Sequence, residues 1–159
     1  MVVELPIGWI IALNTLGWLF VQFGLAWLMT RLPAERFAAQ HGFARLCDWE
    51  KSGRVYERLF RIKLWKDRLP DAASWFKGGF AKANLHKHTS AFFEQFRRET
   101  WRGELTHWLA LLALPCFAIW NSGWAFGINV AYALAANLPC ILVQRYNRAR
   151  FRRILERNH

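Results

Sequence analysis

The chain has 159 residues, a formal charge of +11 and 54% hydrophobic residues, including 10 Trp and 13 Phe. All 22 Lys and Arg lie in residues 31–102 or 145–157, whereas a soluble nucleic-acid-binding domain would intersperse its cations. That segregation excludes nucleic acid as the expected partner and favours membrane lipid as the solvent of the apolar stretches.

The length has room for one domain. Residues 6–29 carry no charged side chain and are long enough to span a bilayer with some tilt. Glu4 is no basic n-region and the apolar run is too long for an h-region, so a retained first membrane helix is expected rather than a cleaved signal peptide.

Residues 30–104 form the basic middle. Phe43, Trp49, Tyr56, Phe60 and Trp65 alternate there with Arg45, Lys51, Arg54, Arg58, Arg61, Lys63 and Lys66. This mixture suits amphipathic helices lying on an anionic bilayer, rings down and cations toward headgroups. Residues 75–80 read as a loop. His86 and His88 are two apart and would point to opposite sides of a strand, so no metal site is expected from them. From Ser90 a helix is predicted, with Phe92, Phe93 and Phe96 at helical spacing, running without a break into the next hydrophobic segment.

Residues 105–143 contain no Asp, Glu, Lys or Arg, and one histidine, His107. The turn signal Asn121-Ser122-Gly123 divides them into a second hydrophobic helix, 105–120, and a third membrane helix, 124–143. The first of these is short for a crossing: it either borrows residues from Trp101 onward or is re-entrant. Residues 144–159 are a basic tail. The positive-inside rule then places the middle region and the C-terminus in the cytoplasm and the N-terminus outside, in a multi-pass protein of the cell membrane. The expected fold is all-α: one membrane domain over 1–159, with about three hydrophobic helices and an amphipathic, basic cytoplasmic region.

The cysteines, Cys47, Cys116 and Cys140, are scattered and offer neither a disulfide framework nor a zinc signature. No Gly-rich phosphate loop or G-x-S-x-G elbow occurs, and neither a cofactor nor a metal is expected.

Two constellations carry chemistry. In the first, Glu104 and His107 are three apart on one helix and face one another, as do Glu99 and Arg102. A titratable group just inside a hydrophobic segment is costly unless it faces protein or a polar cavity, which makes His107 a functional candidate. Imidazole can act as a base near neutral pH, and Glu104 could orient it. The plainer alternative is an interfacial histidine beside ordinary helix ion pairs. In the second, Pro139 is expected to break a helix, while Asn137, Gln144 and Arg148 fall close to one helical face. Arg145, Arg148 and Arg150 could grip a phosphate, although a kinked helix with a basic stop-transfer tail would present the same arginines.

Together, Glu99-Thr-x-Arg102-x-Glu104-Leu-x-His107-Trp108, Asn137-x-Pro139 and Gln144-Arg-Tyr-Asn147-Arg148 resemble the glycosyl-4,4'-diaponeurosporenoate acyltransferase family. Arg31-Leu-Pro33, Trp49-Glu50-Lys51-x-Gly53 and Trp65-Lys66-Asp67 extend the likeness upstream. The resemblance implies transfer of a fatty acyl group from a thioester donor to a hydroxyl of a glycosylated lipid, a glycosyl carotenoid of the staphyloxanthin type. Under it, His107 is the expected base and Glu104 its orienting partner, with Glu99 and Arg102 in the same catalytic cluster. Arg102 or Asn137 could donate to the oxyanion, and Arg145, Arg148, Lys77 or Lys82 could bind the donor's phosphates. Asn137, Gln144, Arg145, Asn147, Arg148 and Trp108 form the expected substrate-binding set. The alternatives are a non-catalytic membrane subunit that recruits anionic lipid or a partner enzyme, and another small membrane transferase such as a methyltransferase.

Overall fold

The computed structural model describes residues 5–38, 45–50, 53–69 and 90–157, and among them every regular element is helical. The described residues hold four α-helices, α1 (Ile7–Arg31), α2 (Arg54–Leu59), α3 (Ser90–Leu112) and α4 (Gly123–Arg157), with short 3₁₀ turns between some of them. Lys77, Lys82, His86, His88 and the expected loop at 75–80 lie outside the described residues.

Pro6 sets the start of α1 and the helix stops at Leu32, ahead of Pro33, which biases its predecessor toward extended backbone. Only Trp18 and Met29 of α1 are buried, while Trp9 is 63% and Phe20 78% exposed. α1 thus leaves most of its apolar surface uncovered by the other described elements. α1 and residues Gly123–Arg153 of α4 are the two described helices long and apolar enough to cross a bilayer.

Two expectations need correction. Residues 105–120 are not one helix: α3 carries the hydrophobic sequence to Leu112, and Leu114–Ile119 follows as a 3₁₀ turn with Pro115 near its start. No helix of spanning length is confined to that stretch. Nor does Pro139 break the chain, since α4 runs through it and on through the basic tail as one helix of 35 residues. Neighbouring hydrogen bonds and packing against α3 offset the bond that Pro139 removes.

α3 lies antiparallel along α4. Phe96 meets Phe151 edge-on at 4.4 Å, Glu104 meets Arg145 and Arg148, and His107 meets Asn137. α1 runs parallel to α4 and is held by amides. Asn14 bonds Asn121 at 2.9 Å, Trp18 donates to Asn129 at 2.8 Å, and Gln22 donates to Asn137 at 3.3 Å. Asn14, Trp18 and Gln22, four residues apart on α1, thus meet Asn121 in the turn before α4 and Asn129 and Asn137 on α4, polar contacts between otherwise apolar helices. Trp18 also stacks on Phe117 at 4.4 Å, which closes the 3₁₀ turn onto α1.

The described part of the basic middle, residues 45–50 and 53–69, consists of a short helix and 3₁₀ turns and packs in part on α4. Tyr56 belongs to a core with Ile62, Val143 and Tyr146, contrary to the expected outward-facing ring. Gly53, at φ +70°, makes the turn into α2 and brings its backbone against Tyr146 and Ala149, a conformation that a side chain would strain. Trp49, Leu59 and Leu64 remain exposed.

Candidate active site

The site lies where α3 passes α4 at the boundary between the uncharged and basic sequence. Its first half is His107, whose Nδ1 is 2.9 Å from Asn137 Oδ1. The Asn137 amide nitrogen donates to the Ala133 carbonyl at 2.8 Å, so its oxygen is the end presented to the imidazole. His107 therefore donates from Nδ1–H, and its lone pair sits on Nε2. Gln22 also donates to Asn137 Oδ1, which adds α1 to the same cluster.

The second half is a buried ion-pair network. Arg145 donates to Glu50 from Nε (2.7 Å) and Nη2 (2.6 Å), and to Glu104 Oε1 from Nη1 (2.7 Å). Arg148 Nη2 is 2.5 Å from Glu104 Oε2. Trp108 donates its indole N–H to Glu104 Oε1 at 3.1 Å, and Tyr56 donates its hydroxyl to Glu50. Glu50, Glu104 and Arg148 are almost wholly buried. Two carboxylates and two guanidiniums balance in charge, which is what makes their burial tolerable. Burial alone would raise the Glu50 carboxyl, but hydrogen bonds from Arg145, Tyr56 and the Cys47 amide outweigh it and hold its pKa down at about 2. Burial and the Glu50 carboxylate push the Tyr56 hydroxyl well above its ordinary range.

These contacts rearrange the expected roles. Glu104 does not orient His107: its bonds go to Arg145, Arg148 and Trp108, and Asn137 is the partner of Nδ1. The Asn137 amide and both Nη groups of Arg102 are engaged elsewhere than at an oxyanion, while the Arg102 Nε is buried without an acceptor among the described residues. Arg102 bonds Glu99 at 2.9 Å and the Leu32 carbonyl at 2.8 Å, and its guanidinium lies 5.0 Å from the Phe37 ring. It ties the end of α1 to α3. Glu99 is buried enough to raise its carboxyl pKa, with Arg102 opposing the shift.

Asn137, Gln144 and Arg148 all face α3, in keeping with their helical spacing. Gln144 packs on Gly103, where a Cβ would stand 2.8 Å from its amide nitrogen, so the absent side chain is what admits Gln144. Asn147 is partly buried and Trp108 is 36% exposed. Arg150, in the same basic string, is exposed. Among the described residues no three His, Cys, Asp or Glu gather as a metal set.

Sequence reasoning passed over Glu50, Tyr56 and Gln22 as site residues. Glu50 reaches Arg145 across 95 positions, a contact with no periodic signal. The amides carried one: Asn121, Asn129 and Asn137 recur every eight residues in an uncharged segment.

Residues 37–157 match the profile of the family described as glycosyl-4,4'-diaponeurosporenoate acyltransferase. The curated protein of that name from Staphylococcus haemolyticus (strain JCSC1435) is 35% identical over 133 residues, 84% of this chain and 77% of the relative. That from Staphylococcus aureus (strain bovine RF122 / ET3-1) is 34% identical over 140 residues, 87% of this chain and 83% of the relative. No solved structure matches the chain. The His107–Asn137 pair and the whole ion-pair network fall inside the matched residues, and the chain belongs to the glycosyl-4,4'-diaponeurosporenoate acyltransferase family and is an acyltransferase.

Proposed function

We propose that the protein is a membrane-embedded enzyme that moves a fatty acyl group from a thioester donor to a hydroxyl of a glycosylated carotenoid, with His107 as general base. The observation that carries this reading is the Nδ1–Asn137 bond, which holds the imidazole in the tautomer whose Nε2 can accept a proton. The hydroxyl loses its proton to Nε2 as its oxygen attacks the thioester carbonyl. The tetrahedral intermediate then expels the thiolate, which takes the proton back from His107. No covalent acyl-enzyme is needed.

The other residues position this base. Asn137 fixes the ring, and Gln22 buttresses Asn137. The Glu50–Arg145–Glu104–Arg148 network pins the turn of α3 that precedes His107. Gln144 and Asn147 lie toward the cytoplasmic end of α4, where the polar ends of both substrates would be read, and Trp108 is close enough to the surface to meet the acceptor.

The same reading sets the protein in the cell membrane with the N-terminus outside and the basic region and C-terminus cytoplasmic. Arg102 reaches the carbonyl of Leu32 and Trp120 donates to Asn14, so the chain from 102 to 120 runs back beside α1 over the distance from Leu32 to Asn14. An α-helix covers that distance in about 27 Å, near the thickness of a hydrocarbon core. α3 and its 3₁₀ turn thereby supply a third, broken crossing.

Purified protein in detergent, given a fatty acyl thioester and a panel of glycosylated carotenoids and other glycolipids, tests the reaction. The expected product is an acyl ester on the sugar of the carotenoid. Absence of ester from every acceptor would favour a non-catalytic role.

A further inference from the structure

Arg145 and Arg148 are unequal members of the ion-pair network. Arg145 holds two carboxylates, taking both oxygens of Glu50 and one of Glu104. Arg148 has a single close contact, Glu104 Oε2, on a carboxylate it shares with Arg145. Its side chain is fully buried and Nη2 meets only that carboxylate, yet Nε and Nη1 have no hydrogen-bond acceptor among the described residues. A buried guanidinium with idle donors is costly, and this one is held over the Trp101 ring at 5.8 Å. Arg98 lies one helical turn before Trp101 on α3, and its Nε is likewise buried without an acceptor. Arg148 at the Trp101 ring and Arg98 one turn away on α3 thus each carry an orphan donor, in the basic stretches that the membrane reading sets at the depth of headgroup phosphates.

We propose that Arg148, assisted by Arg98, is the receptor for one phosphate group that docks at the cytoplasmic end of α3 and α4. The planar fork of an arginine matches the paired oxygens of a phosphate, the anion of both the thioester carrier and the lipid headgroups. The incoming phosphate displaces Glu104 from Arg148. Glu104 keeps Arg145 and Trp108, so the exchange leaves no carboxylate stranded. The phosphate belongs either to the polar carrier of the thioester donor or to a lipid headgroup. The first source deepens the acyl-transfer reading and rests on it.

Binding is read without turnover, by thermal unfolding of the full chain in neutral detergent, so an inactive protein that binds phosphate would refute the acyl-transfer reading alone. The probes are coenzyme A, pantetheine (the same thiol arm without phosphate) and phosphatidylglycerol doped into the micelles. A donor site raises the melting temperature with coenzyme A and not with pantetheine; a headgroup site does so with phosphatidylglycerol and not with coenzyme A. In either case Arg148→Lys, which keeps the charge beside Glu104 but loses the fork, and Arg98→Gln are each expected to weaken the response about tenfold. Arg150→Gln, at an exposed position, is expected to respond as wild type does. The proposal is overturned if no phosphate-bearing probe exceeds pantetheine, if Arg148→Lys responds like wild type, or if Arg150→Gln loses as much as Arg148→Lys.

Discussion

His107 on α3 and Asn137 on α4 share a 2.9 Å contact between Nδ1 and Oδ1, and it joins two helices at the edge of the uncharged sequence. The Asn137 side chain is wholly buried and its amide is turned by the bond to the Ala133 carbonyl. A ring held in this way delivers one tautomer at one angle. Asn137→Leu keeps the volume and removes the acceptor. We expect kcat to fall about 10- to 100-fold with KM for the acyl donor little changed, since positioning of a base acts on the transition state. Steady-state kinetics on both variables check this; an unchanged kcat would detach Asn137 from His107's role.

The ion-pair network makes a separate prediction about stability. Glu104→Gln leaves two guanidiniums facing a neutral amide in a buried place, a loss on the order of 3–5 kcal/mol. Adding Arg148→Met removes the charge that was stranded, so the double variant should recover part of that loss. Thermal or denaturant unfolding in one detergent gives the cycle. Strict additivity of the two substitutions would mean that the contact between Glu104 and Arg148 is energetically silent.

Acid should loosen the cytoplasmic segment. Glu50 titrates at about 2 in the folded protein against an ordinary 4.5. Its folded pKa is depressed, so its contribution is complete above the ordinary value and lost as pH falls from about 4.5 toward 2. The gap corresponds to roughly 3 kcal/mol. Melting temperatures from pH 7 to 3 should drop across the lower part of that window in wild type. Glu50→Gln should start lower and show a smaller drop there.

How much of this was legible follows from how local each feature is. Charge segregation marked α1 and α4, and helical spacing put Asn137, Gln144 and Arg148 on one face, because both are patterns within a single segment. The unbroken passage of α3 from Ser90 into apolar sequence was legible for the same reason. The pairing of those faces was not. Glu104 sits beside His107 in sequence, and three-residue spacing suggested a dyad, yet two arginines from α4 claim the carboxylate because a buried anion is worth more beside a cation than beside a neutral imidazole. Tyr56 looked like a ring for the lipid surface; Gly53 turns the chain so that it enters the core instead. The continuity of α4 through Pro139 likewise depends on packing that no local rule supplies.

Topology can be read from one exposed thiol. Cys47 is exposed and lies in the basic region. In a variant with Cys116→Ala and Cys140→Ala, a membrane-impermeant maleimide should leave Cys47 unlabelled in intact cells and label it after permeabilisation. Labelling from outside would invert the orientation.

The most direct measurement compares wild type with His107→Ala in the same detergent, following by mass spectrometry the ester formed from a fatty acyl thioester and a glycosylated carotenoid. Acyl transfer with His107 as base predicts ester in wild type and a rate at least about 100-fold lower in the variant, with matching melting temperatures. Equal rates in the two proteins, or no ester from either, would contradict it.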